Sequence, residues 1–189
     1  MHYRRLVLFA VALVATAAAS SSAQDAASRP PTERPFKHST EIFEAYVSDA
    51  DAVLVKSKPI RIVGGSGGEV ELTAEFASRG QEVTRPDSIL LGFISRSRVA
   101  KYNASTHLVL KADGEQISFD TTQLKIFVLN DSVIEMLFTP IPCNIFLRIA
   151  NAKTVQVSLG DIKLELTEGH LEVLRDVASR TVPHSLPQR

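Results

Sequence analysis

The feature that most constrains this chain is a period-two alternation of apolar residues, broken at intervals by turn signals. Val70, Leu72, Ala74 and Phe76 fall on one side of an extended segment, with Glu71, Thr73 and Glu75 on the other. A helical period of 3.6 residues does not sort these side chains; a strand with one buried and one solvent face does. Asp113-Gly114 suits a two-residue hairpin turn, whose central positions favour positive φ. That turn sets Leu110 opposite Ile117 and Leu108 opposite Phe119. Gly160-Asp161 likewise aligns Val155, Val157 and Leu159 with Leu166, Leu164 and Ile162, and Asn130-Asp131 joins Leu124–Leu129 to Val133–Phe138. A slip of one residue would send each apolar set to the wrong face, so turn and alternation agree on one register.

With Val53–Val55, Ile60–Val63 and Ile89–Ile94, the pattern predicts a mainly β fold. The expected architecture is an antiparallel β-sandwich, or barrel-like sheet, of about nine strands with one short helix and one C-terminal packing helix. The short helix is expected to start at an N-cap Thr139 with Pro140 in its first turn, followed by Ile141, Ile145 and Ile149 at every fourth residue. The second is expected after Thr167, with Leu166 and Leu171 as a hydrophobic staple. It would turn Leu171, Leu174 and Val177 inward and Glu172, Arg175 and Asp176 outward.

The N-terminus reads as an address. A basic head, Met1 to Arg5, precedes an uncharged run from Leu6 to Ala19, and Ser20-Ser21-Ser22-Ala23 supplies small residues for cleavage. The run is shorter than the roughly 20 residues that span a bilayer, so residues 1–23 are expected to be a secretory signal peptide, with no membrane span after cleavage. Residues 24–40, with Pro30, Pro31 and Pro35, read as a flexible Pro-rich spacer, residues 41–180 as a single β-sandwich domain, and 181–189 as a flexible tail. Removing Arg4 and Arg5 leaves 19 basic residues against 21 acidic ones. That slightly acidic balance gives no electrostatic footprint for nucleic acid. Cys143 is the single cysteine, so no intrachain disulfide is available, and it is expected to act as a small buried hydrophobe.

In the C-terminal third, Ile149-Ala150-Asn151-Ala152-Lys153-Thr154-Val155, Leu159-Gly160, Leu166-Thr167 and Leu171-Glu172-Val173-Leu174-Arg175 stand in a recurring order. Together they resemble a pattern of uncharacterised exported bacterial β-sandwich proteins. The resemblance consists of packing and turn positions. It implies a fold and a bacterial envelope setting, and no activity.

Chemistry-bearing motifs are sparse. Gly64-Gly65-Ser66-Gly67-Gly68 satisfies G-x-S-x-G, but a nucleophile elbow needs a helix after the serine, and Glu69–Phe76 alternates as a strand. No Lys-Ser/Thr follows, as a phosphate loop requires. His38, His107, His170 and His184 lack ligand spacing, and no metal or cofactor is expected. Glu135, between Ile134 and Met136, reads as an edge-strand charge that discourages sheet pairing. Arg96, Arg98, Lys101 and Tyr102 form the densest basic patch and are the candidate interaction surface. The expected function is a non-enzymatic binding or structural module of the bacterial cell envelope, periplasmic or secreted, acting on an envelope protein or ligand. The alternative is a small carrier of an apolar ligand such as a lipid, suggested by two-sided apolar strands such as Leu124–Leu129, though such strands are more often simply central and buried on both faces. A serine hydrolase on Ser66 is the remote alternative.

Overall fold

The computed structural model describes residues 42–63, 69–103, 106–119 and 122–186. The expected signal peptide, the spacer with His38, and Ser66 with its glycines lie outside the described residues.

Among the described residues the chain runs β1 (Ile42–Val47), β2 (Ala52–Ser57), β3 (Ile60–Val63), β4 (Glu69–Arg79), β5 (Glu82–Val83), β6 (Ser88–Ser97), β7 (Leu108–Ala112), β8 (Glu115–Phe119), β9 (Gln123–Leu129), β10 (Ser132–Pro142), α1 (Cys143–Ala150), β11 (Val155–Leu159), β12 (Ile162–Leu166), α2 (Glu168–Ser179) and β13 (His184–Ser185). The large sheet is ordered β1-β2-β4-β6-β10-β9, with β3 paired to the other half of β4. A second sheet is ordered β12-β11-β7-β8, and β13 pairs with β5. The pairings are antiparallel, and the fold is mainly β and sandwich-like with no closed barrel. Both sheets and both helices contribute to one apolar cluster, in which Phe93, Leu137, Ile141 and Phe146 are fully buried.

The three hairpins form in the registers that alternation requires. Leu110 pairs with Ile117 and Leu108 with Phe119. Val155, Val157 and Leu159 pair with Leu166, Leu164 and Ile162. Asn130-Asp131 connects Leu129 to Ser132, and β9 pairs with β10 without a bulge. Asp113 and Gly114 both take positive φ, as the tight turn demands. Asp113 has a second task. Its Oδ1 accepts the backbone N–H groups of Lys153 and Thr154, each at 2.9 Å, tying the β7–β8 turn to the start of β11. The Thr154 backbone donor, aided by that of Lys153, holds the Asp113 carboxyl below its ordinary range.

The first helix begins later than expected. β10 continues through Thr139 and Pro140, pairing with β6 as far as Pro142↔Ser88, and α1 starts at Cys143. The reason lies in strand parity. The tight Asn130-Asp131 turn makes Leu129 and Ser132 a hydrogen-bonded pair, so even-numbered residues of β10 face β9. β9 starts at Gln123, opposite Phe138; beyond it, the missing N–H groups of Pro140 and Pro142 point where no described strand needs them.

Two faces expected to be exposed are covered. Glu75 and Thr73 are buried, because β4 is flanked on both sides within the sheet. Glu75 meets Lys56 Nζ at 2.7 Å. Asp176 is also buried, because α2 packs against α1, β2, β4 and β12 and presents a wide apolar face. The start of α2 follows expectation: Thr167 is the N-cap, and His170 closes a capping box by accepting the Thr167 N–H at 2.9 Å. The opposite ring nitrogen of His170 faces the Arg61 carbonyl at 3.0 Å and donates to it. Residues 181–186, read above as part of a tail, return to the body. Thr181 is buried, β13 joins β5, and His184 and Arg180 both meet the Glu44 carboxylate on β1.

Gly92 marks the tightest point of the large sheet. It sits in one cross-strand row between Thr73 and Phe138, and a Cβ there would lie 2.6 Å from Thr73 Cγ2 and 2.7 Å from the Phe138 ring. The ring occupies the space that the missing side chain leaves. Gly92→Ala is therefore expected to destabilise the fold by about 1–3 kcal/mol through overpacking, read as a lowered midpoint in chemical denaturation. An unchanged midpoint would show that the Phe138 ring moves aside freely.

Candidate functional site

β10 is an interior strand, lying between β6 and β9, so Glu135 is no edge charge. Its side chain is 0% exposed, on the face shared by Leu137, Thr139 and Ile141. A buried carboxylate requires hydrogen bonds to replace its lost water. Glu135 Oε1 obtains two, from the backbone N–H groups of Lys101 and Tyr102, each at 2.8 Å. The strand thereby holds the connection that follows β6. Thr106 Oγ1 accepts the Asn103 N–H at 3.1 Å, and Ser97 Oγ donates to the Val99 carbonyl at 2.6 Å, so the connection is braced on either side of the carboxylate.

This arrangement redistributes the four residues of the predicted surface. Arg96, at the end of β6, meets Glu71 Oε2 at 3.1 Å. Arg98 and the Lys101 side chain are exposed. Tyr102 leaves the surface: at 6% exposure its ring belongs to the core. The structure thus brings Arg96, Arg98 and Lys101 to one end of the sandwich and turns Tyr102 inward beneath them. Val99, between Arg98 and Lys101 in sequence, is 73% exposed.

Beneath the loop lies a small polar cluster. Ser95 is the cross-strand neighbour of Glu135, and Ser95 Oγ, Tyr102 Oη and Glu135 Oε2 are buried without a hydrogen-bonding partner among the described residues. Burial pushes the Tyr102 phenol up from its ordinary range, and the Glu135 carboxylate adds to this. The nearby Ser95 hydroxyl offsets part of it, without a well-formed hydrogen bond.

Other candidates separate in space. His107 is exposed, His170 caps α2, and His184 sits against Glu44. Among the described residues no group of three or more His, Cys, Asp or Glu side chains is arranged to hold a metal. Cys143 is buried at the start of α1. β3 and β4, on either side of the Ser66 segment, pair with each other, Ile62 opposite Val70, so a strand follows the serine where an elbow requires a helix. A hollow of about 180 Å³ lined by Lys111, Gly114, Thr154 and Gln156 is smaller than the roughly 300 Å³ of ordinary ligand pockets. No described helix is long and apolar enough to cross a membrane.

The strand that suggested a carrier is not central. β9 ends the large sheet, and Ile126, Phe127, Val128 and Leu129 are exposed. Alternation-free apolar runs read alike for a strand buried on both faces and one exposed on both; only the order of the sheet distinguishes them. No protein-family model, curated protein or solved structure matches the chain, so no residue role is carried over from a relative.

Glu135→Ala removes the acceptor for two backbone donors and is expected to cost about 2–4 kcal/mol. Glu135→Gln keeps a carbonyl oxygen and should lose less. Hydrogen exchange at the Lys101 and Tyr102 amides checks the cause: both should accelerate in Glu135→Ala well beyond the change in global stability. Tyr102 gives an alkaline signature. Its phenol titrates above the ordinary value of 10.0 in the folded state, so its contribution is intact below that value and is lost as pH rises through the folded one. Tyr102→Phe should therefore lose less stability than the native protein above about pH 10 in denaturant titrations.

Proposed function

We propose that this protein is an exported, non-enzymatic binding module of the bacterial cell envelope, periplasmic or secreted, which engages an acidic group on another envelope component through the loop after β6. The observation that carries this reading is the Glu135 clamp. A carboxylate buried in an interior strand fixes the backbone of Lys101 and Tyr102, while the Arg98 and Lys101 side chains and Val99 remain exposed. A loop ordered before it meets its partner loses less entropy on binding. Cations on such a loop attract acidic groups and set the association rate. Export is supported by the signal-peptide pattern of residues 1–23, and the bacterial setting by the resemblance of the C-terminal third.

The test is charge reversal at Arg98 and Lys101 together. On an immobilised sulfated polysaccharide, the double variant should bind about tenfold more weakly than the native protein and elute at lower salt. Lys163→Glu, an exposed change on β12, should elute with only the small shift of an altered net charge. Equal elution of the double variant and Lys163→Glu would overturn the reading.

A further inference from the structure

β9 carries little of what protects a sheet edge from pairing. It is seven residues long, contains no Pro or Gly, pairs with β10 without a bulge, and has Lys125 as its single charge. Ile126, Phe127, Val128 and Leu129 are 47%, 37%, 75% and 62% exposed, two on each face of the strand.

The hydrogen-bonding parity of this edge is fixed by its turn. Leu129 and Ser132 flank a two-residue turn and form a hydrogen-bonded pair. Counting back, Leu129, Phe127, Lys125 and Gln123 direct their backbone groups to β10, and Leu124, Ile126 and Val128 direct theirs outward. The outward set is symmetric about Ile126.

We infer that two copies of this chain pair antiparallel along β9, about a two-fold axis at Ile126, making one sheet continuous across both. In that register Ile126 faces Ile126 of the second copy and Leu124 faces Val128, so the outward N–H and C=O groups of all three residues find partners. Shifting the axis to Phe127 would place Leu124 opposite Asn130, a turn residue with positive φ that cannot continue the ladder. The side chains agree with the backbone. Leu124, Ile126 and Val128 meet their counterparts on one face, and on the other Lys125 lies opposite Phe127 rather than opposite another lysine, within reach of a cation–π contact. The four exposed apolar side chains amount to on the order of 400 Å² per copy, the size of patch that marks an interface. Pairing also covers the backbone edge and flanking side chains, and a specific association needs a total on the order of 1,000 Å². The edge is separate from the β6 loop, so this inference does not rest on the proposed function.

Cysteine cross-linking of the full chain under a mild oxidant tests the register, since Cys143 is buried. Hydrogen-bonded antiparallel partners have Cα atoms about 5.5 Å apart, within disulfide range. Ile126→Cys should give a covalent dimer, whereas Val128→Cys alone should not, because its counterpart faces Leu124. The Leu124→Cys/Val128→Cys double variant should cross-link again. In sedimentation experiments the native chain should be a dimer, and Ile126→Lys a monomer with an unchanged circular dichroism spectrum. A monomeric native chain, a dimer that persists in Ile126→Lys, or cross-linking of Val128→Cys as fast as Ile126→Cys would overturn the inference.

Discussion

A carboxylate in the interior of a β-sheet is tolerated only if donors surround it, and in this protein those donors come from the backbone of a loop distant in sequence. Glu135 and the Lys101–Tyr102 peptides meet because β10 and β6 are neighbours and the chain after β6 folds over their shared inner face. The arrangement couples two things that are usually independent. The strand buries Glu135 with the help of the loop's donors, and the loop's two N–H groups are satisfied by Glu135. Sheet order and loop conformation are therefore one cooperative unit. The exposed cations on the loop inherit the rigidity of the sandwich beneath it.

The same device recurs elsewhere in the chain, in the place that disulfides could take. With one buried cysteine, covalent staples are absent. Asp113 ties the β7–β8 turn to Lys153 and Thr154, forty residues away in sequence, and Glu44 on β1 meets Arg180 and His184 beyond α2. In each case an acidic side chain on a strand or tight turn collects donors from a segment that would otherwise be held only by apolar contacts. Arg175 does the converse, reaching from α2 to the Ala150 carbonyl at the end of α1 while pairing with Glu168 in its own helix. Long-range polar ties of this kind are more sensitive to solvent conditions than a disulfide, because their strength depends on the charge state of one partner.

What was legible in the sequence follows the range of the interaction. Hairpin registers were readable at Asp113-Gly114, Asn130-Asp131 and Gly160-Asp161 because turn chemistry and alternation are both local. The capped start of α2 was readable for the same reason. The readings that changed depended on which strand lies beside which. Glu135 looked like an edge charge and is interior; Leu124–Leu129 looked interior and is the edge; Thr139-Pro140 looked like a helix start and extends a strand. Each reversal follows from the crossing that brings β10 beside β6, a contact between segments some forty residues apart. Tyr102 was placed on the surface because its neighbours are charged, and only the position of Glu135 explains why it turns inward. The extension of β10 has a local sign in the sequence, since Pro140 and Pro142 are spaced by two, as a strand beside an open edge tolerates.

The two borders of the large sheet complete the physical picture, for they are treated differently. β1 is clamped by long-range contacts: Glu44, in the middle of the strand, meets Arg180 and His184, so bringing a new strand to that border disturbs charged side chains already engaged with the C-terminal segment. Among the described residues β9 shows no comparable ion pair. Its inner-face residues Ile126 and Val128 extend past the core that buries Leu137 and Phe93, and in a single chain they stay 47% and 75% exposed. Exposed apolar side chains on a bulge-free edge strand are unfavourable for a solitary chain. A strand of that composition at the end of a sheet is relieved most simply by a second strand of the same kind, whose outward backbone groups already match its own.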